Sequence, residues 1–179
     1  MQGRAICAAV ILLAATPVWA SNGAIGLFFD VYGYSCSMPI PAGCSGRLYV
    51  VGLLKGSSAS GFTGAEYKVR VGANSNADPG WVFSETFDPN AIVLGTGAFT
   101  PADPLARGVD VAWPLCQQGD GSRVLIETVD VFNVGGSTSE LPLFVVKHDH
   151  ASNQFFQCPA FVLCDAPVYT LVCLGTNLT

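Results

Sequence analysis

The spacing of the apolar residues restricts the fold more than any other feature of this 179-residue chain. Apolar and polar side chains alternate over short segments, most clearly in GAEYKVRVG (64–72), where Ala65, Tyr67 and Val69 share one face and charged side chains share the other. Successive side chains of a β-strand point to opposite faces, so this alternation predicts half-buried strands. No segment keeps apolar residues at helical spacing for three turns.

Turn-forming residues separate these segments along the whole chain. Clusters such as KGSSASG, ANSNADPG, DPN and QQGDG consist largely of Gly, Pro, Asn, Asp and Ser, which favour tight turns. About eight extended segments separated in this way predict an all-β fold, an antiparallel β-sandwich of about eight strands. The segments are GAIGLFFDVYG, RLYVVGLL, GAEYKVRVG, WVFSETF, GVDVAWP, RVLIETVDVFNV, LPLFVVKHDH and VYTLVCLG.

The first twenty residues, MQGRAICAAVILLAATPVWA, have the layout of a secretory signal peptide. Arg4 supplies a positive start, residues 5–18 are almost wholly apolar, and Val18 and Ala20 fit positions −3 and −1 of a cleavage site. We therefore predict a signal peptide over residues 1–20, a single β-sandwich domain over residues 21–179 and a secreted protein, extracellular or periplasmic. No later stretch has 18 uninterrupted apolar residues, so we predict no membrane span.

The charge of the chain argues against nucleic acid as a partner. The full chain carries a formal charge of −5, and removal of Arg4 with the signal peptide makes it −6. Lysine and arginine form no cluster of the kind that a phosphate-binding surface needs. Charged residues make up only 12% of the chain, which suits a secreted β-protein with Ser, Thr, Asn and Gly on its surface.

Six cysteines remain once the signal peptide and its Cys7 are removed: Cys36, Cys44, Cys116, Cys158, Cys164 and Cys173. An even number in an exported chain predicts disulfide bonds, although six cysteines allow about 15 pairings. Cys36 and Cys44 are the first and last residues of CSMPIPAGC (36–44), and a local bridge between them is one of the pairings. The last three cysteines cannot all pair among themselves, so at least one pairs elsewhere, and Cys116 is the evident distant candidate.

Four further segments are distinctive when taken together: GLFFD (26–30), which is soon followed by Cys36, LYVVGLL (48–54), TGAEYKV (63–69) and CPAFVLCDAPVYTLVCLG (158–175). In these segments the chain resembles a family of exported bacterial proteins with no assigned activity. The C-terminal cysteine pattern is the most specific part of this resemblance, which covers most of the mature chain. It implies a small, disulfide-stapled β-sandwich behind a signal peptide and carries over no catalytic residue. A fainter likeness to immunoglobulin-like and cohesin-type sandwiches concerns topology alone.

Two histidines near the C-terminal cysteines are the candidate metal ligands. If residues 143–150 form one strand, His148 and His150 share a face and can chelate zinc or copper. A metal site needs three or four ligands, however, and the chain contains only these two histidines. One alternative, which we favour, is a strand end with solvated polar side chains. The other is a histidine that hydrogen-bonds the loop before Cys158.

The motifs of common enzyme classes are absent from the sequence. It contains no Gly-x-Ser-x-Gly turn, no His-Glu-x-x-His motif and no phosphate-binding glycine-rich loop with lysine. Asp110, Glu127 and Asp130 lie on predicted strands, but Glu127 and Asp130 are three positions apart and face opposite sides of the sheet. We therefore predict that these carboxylates are solvated or edge-protecting charges, and that the protein is not an enzyme.

Two further features point to binding. The loops NSNADPG (74–80) and DPLARGVD (103–110) offer oxygen ligands for calcium, without the spacing of a dedicated site. Tyr32 and Tyr34 follow the first strand, and Trp113 is in phase with core valines. Trp81 follows a turn and is the predicted surface aromatic that would stack on a sugar ring.

The sequence thus favours an exported, non-enzymatic β-sandwich with a structural, envelope-associated or protein-binding role. The first alternative is a carbohydrate- or calcium-dependent extracellular binding module, in which Trp81 stacks on the ligand. The second alternative is a metal-assisted enzyme at His148 and His150.

Overall fold

The computed structural model of the protein describes residues 22–72, 80–95, 97–99, 108–120, 122–135, 142–150, 152, 154–155, 157–164 and 170–176. These residues form eleven β-strands and one turn of 3-10 helix, Gly56–Ser58. In chain order the strands are β1 (Ala24–Phe28), β2 (Ser45–Leu53), β3 (Phe62–Val71), β4 (Trp81–Phe87), β5 (Ile92–Gly95), β6 (Val109–Gln117), β7 (Arg123–Asn133), β8 (Leu143–Val146), β9 (Ala160–Leu163), β10 (Leu171–Cys173) and β11 (Gly175–Thr176).

The strands form two packed sheets, which confirms the predicted all-β fold. Sheet A has the order β11-β1-β2-β7-β4, and sheet B has the order β10-β9-β3-β6-β5, with β8 paired to the C-terminal half of β3. Only β1 and β11 pair in parallel among the described strands. The sequence predicts eight of the eleven strands and misses β5, β9 and β11, whose segments give no clear alternation.

Some predictions concern residues outside the described ranges. These are the signal peptide over residues 1–20, with its cleavage after Ala20, and most of the two calcium loops at 74–80 and 103–110. In the described part of the chain, no helix has the length and apolar character needed to cross a bilayer.

The apolar core lies between the two sheets and is built from the inward face of each strand. On β3, Tyr67 and Val69 are buried there, as their alternation predicts. Phe62 at the start of β3 stacks on Phe161, with 4.0 Å between the ring centroids, and meets Trp113 edge to face at 5.6 Å. Each such ring buries on the order of 150–250 Å². The prediction that Trp113 is a core residue is therefore confirmed.

A β-bulge in β7 changes the face that its residues present. Along β2, Val50 lies opposite Glu127 and Val51 lies opposite Leu125, so Ile126 is the extra residue of β7. Before the bulge the buried residues of β7 have even numbers, and after it they have odd numbers. Ile126 and Glu127, which are consecutive, are therefore both buried. Glu127 thereby enters the core, although strict alternation counted from Ile126 would place it outside.

Two disulfide bonds join segments of the C-terminal half of the chain. Cys116 in β6 is bonded to Cys164 after β9, and Cys158 before β9 is bonded to Cys173 in β10, each with a Cα–Cα distance of 5.7 Å. The first bond passes over the beginning of β3, which lies between β6 and β9. Gly61 lies beneath it, because a Cβ atom there would stand 2.8 Å from the Cys116 sulfur. The predicted distant partnership of Cys116 is confirmed.

Cys36 and Cys44 have free, exposed thiols, so the expectation that all six cysteines pair is wrong for these two. The residue before Cys36 is bound at the end of β1, where the Ser35 carbonyl accepts a hydrogen bond from the Phe29 N–H at 2.7 Å. Cys36 is therefore held beside β1.

Cys44 is held at a different place on sheet A. It precedes β2, and its carbonyl accepts a hydrogen bond from the Asn133 N–H at the end of β7. Phe28, at the end of β1, lies opposite Tyr49 of β2, which is five residues along the chain from Cys44. The anchor of Ser35 is Phe29, one residue beyond Phe28 and level with the residue four positions from Cys44, so the two anchors are separated by roughly 14 Å along the strand direction. A disulfide needs Cα atoms about 4.4–6.8 Å apart, which explains the free thiols.

Loss of the Cys116–Cys164 bond should destabilise the protein far more than loss of an exposed histidine. The bond closes 48 residues of sequence, and restricting the unfolded chain to that extent is worth about 4 kcal/mol. We expect Cys116→Ser to lose about this free energy of unfolding, and His150→Ala, whose side chain is exposed, to lose less than about 0.5 kcal/mol. Urea unfolding without reductant measures both changes.

The control for this comparison is Cys164→Ser, which breaks the same bond from its other end. It should reproduce the Cys116→Ser loss within experimental error. Equal losses for Cys116→Ser and His150→Ala, or losses in the reverse order, would contradict the prediction.

Candidate functional site

The structure places the two histidines after a strand, not on it. β8 ends at Val146, and residues 149–150 form a turn. His148 is buried, with 6% exposure, whereas His150 is exposed. The backbone N–H of His150 donates a hydrogen bond to Nδ1 of His148 at 3.0 Å. Residues 143–150 do not form one strand, so the condition for a shared face is not met. The favoured interpretation of solvated side chains is wrong for His148, which is buried and uses one ring nitrogen to bind the loop that leads to Cys158.

The loop after β8 folds over the outer face of sheet B and covers Glu66. Glu66 of β3 and Asp110 of β6 are cross-strand neighbours on that face. Ser152 donates its backbone N–H to the Glu66 carboxylate at 3.2 Å, and its hydroxyl group donates to the same carboxylate. Lys68 and Asp149 form an ion pair at 2.7 Å that holds the same loop. As a result, Glu66 is only 5% exposed.

Glu66, Asp110 and His148 form a polar cluster beneath this loop. Burial raises the pKa of the Asp110 carboxyl, the imidazole of His148 opposes this shift, and the charge of Glu66 adds to it. Oδ1 of Asp110 is buried and has no hydrogen-bond partner among the described residues. Alternation predicts that Glu66 and Asp110 face away from the core, which they do, but it does not predict that a distant loop covers them.

The cluster lacks the ligand set of a metal centre. No three His, Cys, Asp or Glu side chains converge as metal ligands in the part of the chain that the structure describes. Nδ1 of His148 is already engaged by a backbone N–H. A zinc or copper site at His148 and His150 stays a prediction, and it would have to use the remaining ring nitrogens.

Glu127 lies in the core at the bulge of β7 and is 1% exposed. The hydroxyl group of Tyr67 on the opposite sheet donates a hydrogen bond to its Oε2 at 2.5 Å. Burial raises the pKa of Glu127 to about 9, and the charge of Glu85 contributes to the rise. Glu127 is therefore neutral at pH 7, and the prediction that it is a solvated charge is wrong because of the bulge.

Glu85 on β4 stands beside Glu127 and binds another segment of the chain. The charge of Glu85 favours the protonated form of Glu127, whose Oε1 is buried without a hydrogen-bond partner among the described residues. Oε1 of Glu85 accepts hydrogen bonds from the backbone N–H groups of Ala98 and Phe99 at 2.6 and 3.2 Å. Oε2 of Glu127 and Oε1 of Glu85 are thus both engaged within the protein.

Tyr32 and Tyr34 form an exposed aromatic surface after β1. Their side chains are 65% and 75% exposed, and their rings are stacked with 6.4 Å between the centroids. The guanidinium group of Arg123, at the start of β7, lies 4.9 Å from the ring centroid of Tyr34, within the range of a cation–π contact. We refer to Tyr32, Tyr34 and Arg123 as the tyrosine surface.

The carboxylate of Asp30 fixes the turn that carries both tyrosines. It accepts hydrogen bonds from the backbone N–H groups of Tyr32 at 2.8 Å, Tyr34 at 3.1 Å and Ser35 at 2.5 Å. Aspartate side chains stabilise turns by binding nearby backbone groups in this way. The two rings are consequently held outwards before any ligand binds, which lowers the entropic cost of binding.

The predicted stacking residue, Trp81, packs partly against the core. Its side chain is half-buried, and its Nε1 is buried without a hydrogen-bond partner among the described residues. The rings of Tyr32 and Tyr34 offer more area to a ligand. Their sequence signal is DVYGY (30–34), in which an aspartate precedes two tyrosines separated by Gly33, whose φ of 73° suits a turn.

Comparison of the chain with known protein families, with curated proteins and with solved structures finds no match. The resemblance to exported bacterial β-sandwich proteins, and the likeness to immunoglobulin-like and cohesin-type sandwiches, therefore stay predictions.

The buried Glu127 should make the protein less stable as the pH rises. The unfolded chain releases this proton near pH 4.5, whereas the folded chain keeps it up to about pH 9. Between these values the folded chain keeps a proton that the unfolded chain has lost, so the stability falls as the pH rises, and the contribution is lost as the pH passes the folded pKa. In thermal melts over this range, Glu127→Gln should show a smaller decline, because its amide cannot ionise.

Asp130→Asn is the matched control for this experiment. Asp130 lies on the same strand but is exposed on the outer face, so its substitution should leave the decline unchanged. A Glu127→Gln variant that loses stability with pH as steeply as the wild type would contradict a buried, neutral Glu127.

Proposed function

We propose that the protein is an exported, non-enzymatic binding module that holds a partner protein at the tyrosine surface. The observation that carries this proposal is the rigid presentation of Tyr32 and Tyr34, whose exposed rings stand on a turn fixed by Asp30. Tyrosine and arginine are enriched among the residues that dominate protein interfaces. Their combination with a preformed turn favours partner binding at this place.

Exposed apolar side chains adjoin the tyrosine surface. Val31, directly before Tyr32, is 43% exposed. Leu125, two residues after Arg123 on the outer face of β7, is 44% exposed. Covering such side chains is worth roughly 25 cal/mol per Å² of apolar area, so a partner that contacts them gains affinity.

The burial of the acidic groups supports a non-enzymatic role. Glu127 and Glu66 are 1% and 5% exposed, and other parts of the chain cover both. General acid or base catalysis requires a group within hydrogen-bonding reach of the substrate. Carboxyl groups that are enclosed in this way serve the fold instead.

The two disulfide bonds support export. Such bonds form and persist in oxidising compartments and are rare where cellular reductants act. A signal peptide over residues 1–20 would deliver the chain to the periplasm or the extracellular space, as expected for the exported bacterial proteins that it resembles.

A carbohydrate partner is the second candidate. Two exposed, neighbouring aromatic rings can stack on the apolar faces of sugar rings, and Tyr32 and Tyr34 provide such a pair. The guanidinium group of Arg123 lies over the Tyr34 ring, which reduces the ring area left for a sugar. We therefore rank a protein partner first. Calcium dependence of this module stays a prediction.

The two tyrosines should provide most of the binding free energy. Interface residues of this kind contribute about 2 kcal/mol or more each, so Tyr32→Ala and Tyr34→Ala should each weaken binding roughly 30-fold. The immobilised mature protein is exposed to the secreted and envelope proteins of its own cells. Bound proteins are identified by mass spectrometry, and the affinity of each is then measured with purified components.

Two further variants separate ring contacts from other effects. Phe155→Ala removes an 80% exposed ring elsewhere and should bind as the wild type does. Asp30→Ala keeps both tyrosines but removes the carboxylate that fixes their turn, and should weaken binding.

A partner that the double variant Tyr32→Ala, Tyr34→Ala binds as tightly as the wild type does would contradict the proposed surface. Retention on cellulose or chitin that the tyrosine variants lose would favour the carbohydrate candidate.

A further inference from the structure

The segment between β1 and β2 carries both the tyrosine surface residues Tyr32 and Tyr34 and the two free cysteines. Cys36 and Cys44 are exposed, and neither is bonded to another cysteine. Cys36 directly follows Ser35, whose N–H is bound by the Asp30 carboxylate that also fixes the tyrosines. A movement of Cys36 is therefore transmitted to the turn that presents the rings.

Hydrogen bonds to Asn133 hold the far end of this segment on β7. The Cys44 carbonyl accepts from the Asn133 N–H at 3.0 Å, and the Gly43 N–H donates to the Asn133 carbonyl at 2.7 Å. The Asn133 side chain also donates to the Ile40 carbonyl at 2.9 Å. Asn133 itself is buried at the end of β7, so Cys44 has a firm anchor.

The near end of the segment has a weaker anchor. In the described residues, the Ser35 carbonyl makes one backbone hydrogen bond to the end of β1, from Phe29. The Ser35 N–H also donates to the Asp30 carboxylate at 2.5 Å, so two hydrogen bonds hold Ser35, whereas three hydrogen bonds to Asn133 hold the far end. Each contributes on the order of 1 kcal/mol. Formation of a bond between the cysteines would therefore draw Cys36 towards Cys44, and not the reverse.

We propose that Cys36 and Cys44 are a thiol–disulfide switch whose closure displaces the tyrosine surface, a regulation that rests on the proposed function of that surface. The cysteines are eight positions apart, so the entropic cost of closing the loop is small. Their anchors are roughly 14 Å apart along β2, farther than the Cα separation of a disulfide, so the bond requires one anchor to release. Closure breaks the Phe29–Ser35 hydrogen bond and pulls the turn off the end of β1.

The oxidant is a small-molecule disulfide such as oxidised glutathione. The thiolate of one cysteine attacks it, forms a mixed disulfide and releases one glutathione thiolate. The second cysteine thiolate attacks the protein sulfur of the mixed disulfide and releases the second glutathione. The protein loses two electrons and two protons, and one glutathione disulfide becomes two thiols. The exposure of both cysteines gives the oxidant access.

Peptide mass spectrometry and hydrogen exchange test the switch without any partner. After treatment with oxidised glutathione, we expect a Cys36–Cys44 disulfide in monomeric protein. The amide hydrogens of Phe29, Tyr34 and Ser35 should then exchange at least ten-fold faster. Reduction that leaves the other two disulfides closed should restore slow exchange. A variant with both Cys36→Ser and Cys44→Ser should show no effect of the oxidant.

Several results would overturn the switch. These are glutathione adducts without a Cys36–Cys44 bond, dimers linked by disulfides, and a closed bond with unchanged amide exchange.

Partner affinity is measured separately on the reduced and oxidised forms. A loss of affinity of at least ten-fold on oxidation supports both the switch and the proposed function. Faster exchange with unchanged affinity supports the switch and places the partner elsewhere.

Discussion

Strand β3 is the constraint on which the rest of the structure depends, because it pairs with three other strands. β6 lies on one side of it, and β9 and β8 pair with its two halves. Its inward side chains form part of the core, and Tyr67 among them reaches Glu127 on the opposite sheet. Its outward side chains, Glu66 and Lys68, bind the loop after β8. This strand thus positions part of the core, the hydrogen bond between the two sheets and the loop that lies over the outer face of sheet B.

The sequence predicts the parts of this arrangement that depend on local alternation. The two-residue alternation in the sequence predicts which side chains of β3 face inward and which face outward. It also predicts that Trp113 lies in the core, because Trp113 follows Val109 and Val111 at every second position. The bulge in β7 could not be predicted, because the extra residue Ile126 is defined by the pairing of β7 with β2. Glu127 therefore lies in the core, although the sequence alone gives it the pattern of a surface residue.

Loops could be predicted least, since their contacts join residues that are far apart in the chain. Ser152 binds Glu66, which is 86 positions away in the chain, and no local sequence pattern predicts this hydrogen bond. The disulfide partner of Cys116 was predictable only as one of three late cysteines, because pairing depends on the order β10-β9-β3-β6. The Asp30 turn is the exception: its contacts span five residues or fewer, and DVYGY contains the whole unit.

The distribution of these constraints is the reason that we place the proposed switch in the segment between β1 and β2. Two covalent bonds fix the C-terminal half, where Cys116 and Cys164 tie strands on either side of β3. The segment with Tyr32 and Tyr34 is held by hydrogen bonds, each worth on the order of 1 kcal/mol. Contacts of that strength can be exchanged for one new bond without unfolding either sheet. Exposed rings and free thiols lie together on this segment, and the proposed regulated binding rests on that combination.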